Sequence, residues 1–295
     1  MLHGLLRTLL LVCVLACAAT AGAADGEHHY FTTKDGIKLH YMTLGSKGSY
    51  VILQHGYTGS AEGNWFRNGI AQALAKNHRV VALDARNHGR SDKPTPRGAG
   101  IAEDIVELMD HLKVQRVHLH GYSMGGGLTA RVLASHPQRL ITASFGGSGI
   151  RETDPNWVEL VPKDRAGRDP QEDEASRNLR IHSLMDNGRT QQQAEAEIAK
   201  QDQERASQPQ AAAAAAPRPA QQPLQIDLRS LDVPLLAING EYDAPYSKTF
   251  RLWREARNFT NVILPGKSHL TAIAAPYMPK EYLQTLVAFI DAHDE

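Results

Sequence analysis

Cysteine is nearly absent: the 295 residues contain two, Cys13 and Cys17, both close to the N-terminus. That excludes a disulfide framework and a four-cysteine zinc site. An excess of charge of one sign is lacking as well. The 32 Lys and Arg residues are balanced by 32 Asp and Glu residues. Such a chain has neither the basic stripe of a nucleic-acid binder nor an acidic tail, and no nucleic-acid partner is expected. Long hydrophobic runs are missing too, the one near the N-terminus being shorter than the about 20 residues that a bilayer-spanning helix needs. No Rossmann G-x-G-x-x-G or Walker Gly-Lys-Ser/Thr loop opens a helix, so no nucleotide cofactor is inferred. What remains, 42% hydrophobic residues, is enough for a sizeable core. By length alone the chain is one large α/β domain or two ordinary ones of about 100–200 residues.

Both cysteines sit in an opening segment where Arg7 precedes the apolar run from Thr8 to Cys17, followed by Ala-rich small residues. A basic start, a short apolar stretch and small residues are the marks of a secretory signal. Ala21-Gly22-Ala23 fits the cleavage pattern, giving a signal peptide over 1–23 and a mature chain from Ala24. The alternative is Val14-Leu15-Ala16-Cys17, which resembles a bacterial lipoprotein box. It would make 1–16 the leader and Cys17 a lipid anchor. Leu15 is not the commonest residue at its place in that box, so plain secretion is preferred. Either route predicts export, to the periplasm or the medium.

Downstream, strands and helices alternate. His29–Thr32 and Ile37–Thr43 are period-two runs joined by Lys34-Asp35-Gly36, a hairpin pattern. Apolar β-branched runs at Tyr50–Gln54, Arg79–Leu83, Val114–His120, Leu140–Phe145, Pro234–Asn239 and Asn261–Leu264 read as strands. Between them, Trp65–Lys76, Ala99–Leu112, Met124–Ser135, Ser247–Ala256 and Pro279–Ala292 have helical spacing. This alternation predicts an α/β fold with a mostly parallel central sheet flanked by helices and an antiparallel hairpin at one edge. Residues 149–225 break the rhythm. They hold two polar helices, one reaching Met185 and one over Thr190–Ala206, then an Ala/Gln/Pro stretch, and read as an inserted helical cap. The length therefore resolves into one capped domain over 24–295.

The strongest chemical feature is Gly121-Tyr122-Ser123-Met124-Gly125 between a strand and a helix. A serine on a sharp strand-to-helix turn projects its hydroxyl above the sheet. Small residues two before and two after it keep the turn free of clashes. The helix N-terminus directs free N–H groups and its dipole at the same spot.

On this and four further motifs, the chain from about Tyr30 onward resembles the α/β-hydrolase family of serine esterases and lipases. His55-Gly56-Tyr57 resembles its oxyanion loop. Asp84-Ala85-Arg86-Asn87-His88-Gly89-Arg90-Ser91 resembles its D-x-R-G-H-G-x-S segment, with Asn87 in place of Gly, a substitution that left-handed backbone tolerates. Gly240-Glu241-Tyr242-Asp243 resembles the acid loop and Gly266-Lys267-Ser268-His269 the histidine loop, in the family's chain order. The resemblance implies that Ser123 is the nucleophile, His269 the base and Asp243 the group that orients it. Glu241 and Asp154 are weaker rivals for the acid. Backbone N–H groups of Tyr57 and Met124 would bind the oxyanion.

The expected activity is hydrolysis of small or medium carboxylic esters through an acyl-enzyme. The same triad also serves amide, thioester, lactone or carbon–carbon bond hydrolysis, acyl transfer and perhydrolysis. A non-catalytic binding protein of the same fold is the alternative of another class. Trp65, Phe66, Phe145, Trp157 and Leu270, with Tyr57 and Met124, are candidate pocket walls. Asp84 and Arg86 read as a structural pair. His118 and His120 lie on one side of a strand, yet no third ligand stands at suitable spacing, so neither a metal nor another cofactor is expected.

Overall fold

Period-two pattern and β-branched runs become a single eight-stranded sheet. The computed structural model describes residues 26–95, 101–207 and 224–294. The leader with Cys13 and Cys17, and most of the Ala/Gln/Pro stretch, lie outside the described residues. The strands are β1 (Glu27–Thr32), β2 (Lys38–Leu44), β3 (Tyr50–Gln54), β4 (Arg79–Leu83), β5 (Val117–Tyr122), β6 (Leu140–Gly146), β7 (Leu235–Gly240) and β8 (Phe259–Leu264). Their order is β1-β2-β4-β3-β5-β6-β7-β8. The β1–β2 hairpin meets β4 antiparallel, and every pairing from β4 to β8 is parallel. Central strands such as β5 are buried along their whole length, as strands covered on both faces must be.

Each face of the sheet has its own core. On one, α2 (Ala102–His111) contributes Ile105, Leu108 and Met109, and α3 (Met124–Ser135) contributes Leu128, Val132 and Leu133, against Val117, Leu119 and Phe145. On the other, α8 (Lys280–Asp291) brings Tyr282, Leu286 and Ile290 onto Val51, Leu53 and Tyr122, with Trp65 and Phe66 alongside. The helix expected over Trp65–Lys76 is interrupted. A π-helical turn covers Glu62–Phe66, and a short α1 (Ile70–Leu74) follows Gly69 at φ +82°. Asn68 makes the break, its amide donating to the carbonyls of Asn64 (2.7 Å) and Ile273 (2.9 Å).

Between β6 and β7 run α4 (Pro155–Val158), α5 (Glu172–Asp186) and α6 (Gln191–Ser207). The α5–α6 hairpin has a small core of its own, Ile181, Ala194 and Ile198, which matches the paucity of aliphatic residues in α6. It is fastened to the loops at the C-terminal ends of the strands by polar contacts. Asp186 accepts from Ser60 Oγ (2.7 Å) and pairs with Arg67, while Asn178 donates to the Tyr277 hydroxyl (3.0 Å). α7 (Pro245–Glu255) packs Leu252 into the first core.

Several histidines are buried in this frame. Burial holds the imidazoles of His55 and His118 down at about 4 and that of His120 at about 3. In the unfolded chain each binds a proton near pH 6.5. The stability they contribute is therefore complete above that pH and is lost as the pH falls through 4 and 3. Each fully neutral histidine steepens the loss by up to about 1.4 kcal/mol per pH unit. The melting temperature, followed by calorimetry, is expected to fall steadily between pH 7 and pH 4, with a shallower slope for His120→Gln.

Candidate active site

Ser123 follows the last residue of β5 and precedes the first of α3, and its backbone sits at φ +52°, ψ −110°. A non-glycine residue in that region stores about 1–3 kcal/mol of strain. The surroundings compel it. A Cβ on Gly121 would stand 2.1 Å from the Gly125 carbonyl oxygen, and one on Gly125 would stand 2.0 Å from that of Gln54. Strand, turn and helix thus pass at contact distance, where only glycine fits. The Ser123 N–H donates to Gly146 O at 2.8 Å and pins the turn to β6.

Three side chains far apart in sequence meet here. His269 Nε2 lies 2.9 Å from Ser123 Oγ, and His269 Nδ1 lies 2.8 Å from Asp243 Oδ2. The serine hydroxyl can donate to Nε2 while Nδ1–H donates to the carboxylate. Asp243 follows β7 in a turn closed by its own N–H to Gly240 O (3.0 Å), and Ala244 beyond it is left-handed at φ +49°. The Tyr122 hydroxyl donates to His269 O at 2.6 Å and holds the histidine loop from below. The other Asp243 oxygen pairs with Lys248 Nζ, both side chains about nine-tenths buried. Burial lowers the Lys248 ammonium, and the Asp243 charge opposes that. Lys248 was not singled out from the sequence, although a signal existed. A lysine in the first turns of a helix opposes the dipole and calls for a carboxylate. Glu172 was missed too: it accepts from Ser268 Oγ beside the base, and burial pushes its carboxyl up.

The sheet order shows why the site is here. After β3 the chain moves to β4 on one side, then crosses back to β5 on the other. The crevice of such a sheet opens at the C-terminal ends of the strands flanking that reversal. Gly56-Tyr57 leaves β3 and Ser123 leaves β5, and a Cβ on Gly56 would touch Ser123 Cβ at 3.4 Å. His55, fully buried, donates from Nδ1 to Gly56 O (2.7 Å) and accepts at Nε2 from Ala85 N (3.0 Å). It ties the Gly56-Tyr57 turn to the exit of β4. His88 Nε2 donates to Tyr57 O at 2.7 Å. Met124 opens α3, so its N–H is among those with no acceptor inside the helix.

Beneath lies Asp84. Burial alone would raise its carboxyl, but His40 Nδ1 (2.7 Å), Ala61 N (2.6 Å) and Arg90 N (2.9 Å) all donate to it and hold it down at about 2. The expected Asp84–Arg86 pair does not form, because Arg86 is taken by Asp104 and Asp35. Asn87 does adopt left-handed backbone, at φ +69°. Of the rival acids, Glu241 accepts from Gly266 N (2.8 Å) and pairs with Arg165, and Asp154 caps α4.

Several proposed pocket walls are corrected. Trp65, Phe66 and Phe145 are core residues, at 0%, 8% and 0% exposure. The apolar contacts of the two sheet faces claim them. Trp157 is half exposed with the Arg254 guanidinium 4.5 Å above its ring. Leu270 stays half-buried beside His269, and Tyr57 is exposed. Tyr57 borders a polar cavity of about 360 Å³ shared with Asn87, His88, Lys93 and Asp186.

The α/β hydrolase fold family model matches residues 50–269, so the chain belongs to the α/β-hydrolase fold family. A dihydrolipoyllysine-residue acetyltransferase component of an acetoin cleaving system, from Pseudomonas putida, is 38% identical over 136 residues, 45% of this chain and 36% of that protein. A 2-hydroxy-6-oxononadienedioate/2-hydroxy-6-oxononatrienedioate hydrolase from Paraburkholderia xenovorans is 30% identical over 120 residues, 38% of this chain and 41% of that protein. The match thus spans well under half the length of either relative. Among solved structures, a bacterial membrane phospholipase A aligns with a TM-score of 0.62 at 21% identity, over 92% of this chain and 87% of that one. An esterase from Rhodococcus sp. ECU1013 aligns at 0.61 and 19%, over 90% and 98%. At such identities the structural likeness is one of fold.

The strain at Ser123 has a measurable consequence. Glycine relieves a positive φ and alanine does not. Ser123→Gly is therefore expected to be more stable than Ser123→Ala by about 1 kcal/mol in urea unfolding, whereas at an unstrained position the order would reverse.

Proposed function

We propose that the chain is a serine hydrolase that cleaves small or medium carboxylic esters through an acyl-enzyme. The observation that carries this reading is the continuous hydrogen-bonded relay from Asp243 through His269 to Ser123, at 2.8 and 2.9 Å. His269 takes the Ser123 proton as Oγ attacks the ester carbonyl. The negative charge on the tetrahedral intermediate is met by the N–H groups of Tyr57 and Met124 and by the positive end of α3. His269 then protonates the departing alcohol, and a water activated by the same imidazole releases the acid. Asp243 keeps Nε2 facing the serine and stabilises the imidazolium, while Lys248 fixes the carboxylate. The α5–α6 hairpin, within residues 149–225, acts as the cap.

Ester specificity rests on the serine–histidine–aspartate geometry itself. The Paraburkholderia hydrolase favours a second reading, cleavage of a carbon–carbon bond by the same triad. The opening residues support export, with cleavage after Ala23 preferred to lipidation at Cys17. Mass spectrometry of the protein recovered from the producing cell tests this: a chain starting at Ala24 is expected, and one starting at a diacylated Cys17 would replace secretion by anchoring.

A fluorophosphonate probe is expected to label the native protein and not Ser123→Ala. Asp243→Asn should lower kcat for p-nitrophenyl butyrate by about 10⁴-fold. Equal labelling of Ser123→Ala would remove the nucleophile from this reading. Labelling without turnover of any p-nitrophenyl ester would favour the carbon–carbon alternative.

A further inference from the structure

At the other end of β5 from Ser123, three side chains from distant parts of the chain converge. His78 stands just before β4, His118 is the second residue of β5, and Asp294 follows α8. The two imidazoles are buried at 1% exposure each, and Asp294 is 27% exposed. His78 Nδ1 lies 3.6 Å from Asp294 Oδ2, and His118 Nε2 lies 3.7 Å from Asp294 Oδ1. All three ligand atoms fall within 4.8 Å of one another. Ligands at 2.0–2.1 Å around tetrahedral zinc are about 3.3–3.4 Å apart. The two imidazole–carboxylate separations exceed that spacing by only a few tenths of an ångström, and a shift of the Asp294 side chain at the end of α8 would close them.

The hydrogen bonds around the cluster leave one ring nitrogen of each histidine beside the Asp294 carboxylate. His118 Nδ1 is 2.9 Å from Thr142 Oγ1, while its buried Nε2 has no hydrogen-bond partner among the described residues. A buried nitrogen left in that state costs about 1–3 kcal/mol. His78 Nε2 is 2.8 Å from Asp291 Oδ1, the imidazole–carboxylate arrangement that orients metal-binding histidines. With its proton on Nε2, His78 turns the Nδ1 lone pair toward Asp294 and accepts a hydrogen bond there from Ser49 Oγ (3.1 Å), which a rotation of the hydroxyl releases. Neighbouring His293 is directed elsewhere, its Nδ1 donating to Phe289 O (2.8 Å). His120, with which the sequence pairs His118, is engaged by Ser144 Oγ and the Tyr282 hydroxyl.

We propose that His78, His118 and Asp294 bind one divalent transition metal of the zinc type, with water completing the coordination. The charge fits, since the carboxylates of Asp294 and Asp291 balance a dication. The site lies about 16 Å along β5 from Ser123, taking about 3.3 Å per residue, so the metal takes no part in ester cleavage. It clamps the end of α8 to the N-terminal edge of β4 and β5.

The full chain, stripped with chelator, is titrated with ZnCl₂ by calorimetry, and its melting temperature is followed in parallel. One equivalent of zinc is expected to bind, with the melting temperature rising by about 5 °C at a 100-fold excess over Kd. Cobalt(II) should give the visible absorption of a four-coordinate site. His118→Gln and Asp294→Asn should each lose the stoichiometric zinc and the thermal shift, while His28→Gln/His29→Gln and His293→Gln retain both. Asp294 lies at the partly exposed end of the chain, so Asp294→Asn decides the matter if His118→Gln does not fold. Its p-nitrophenyl butyrate turnover should equal that of the parent. Failure of the parent to bind zinc, or binding undiminished in Asp294→Asn, overturns the proposal.

Discussion

The contact between the start of α3 and the end of β3, where Gly125 presses on the carbonyl of Gln54, sets the geometry of everything above the sheet. Any side chain at Gly121 or Gly125 would force helix and strand apart. With them in contact, the backbone has no unstrained route from β5 into α3, and Ser123 must take a positive φ. That same proximity brings the Gly56-Tyr57 turn beside the serine and points the unsatisfied N–H groups of α3 at one spot. The strain at Ser123, the placement of its hydroxyl and the aim of the α3 dipole are consequences of a single packing requirement.

The loops above the sheet are held by buried polar groups as well as by apolar contacts. Asp84 gathers His40, Ala61 and Arg90, and Ser91 Oγ returns to Asp84 O at 2.6 Å, which accounts for the spacing of the segment from Asp84 to Ser91. His55 joins the turn after β3 to the one after β4. Tyr122 and Lys248 serve the histidine and acid loops in the same way. Each group is satisfied, so the network tolerates burial. Burial within it holds the His55 imidazole down at about 4.

What the sequence discloses follows the range of the interactions involved. β3, β4 and α3 end where the pattern places them, because a continuous apolar run or a proline just past a helix is a local signal. The interruption at Gly69 depends on Asn68 reaching the carbonyl of Ile273 across the chain, and nothing local announces it. Ser123, His269 and Asp243 stand out because each occupies a turn of fixed chemistry. The aromatic residues do not: the same period that places Trp65 and Phe145 near the motifs would suit a pocket or a core, and only packing chooses. Lys248 carries a local signal, a cation in the first turns of α7, but which carboxylate it meets, like the approach of Glu172 to Ser268, depends on contacts between elements that no spacing encodes. His78 and Asp294 reach His118 by the same long-range route.

The hydrogen bond from Ser123 to His269 joins residues 146 positions apart, and the whole α5–α6 hairpin lies in between. Loops of that size close late in folding, after the local contacts of β5 and α3 have formed. A chain emerging from a ribosome exposes the turn at Ser123 long before His269 has been made. Until β8 and the turn after it dock, the Ser123 hydroxyl has no imidazole beside it. On the proposed reading, the competence of Ser123 would therefore arrive only with the finished fold, once that long closure is made.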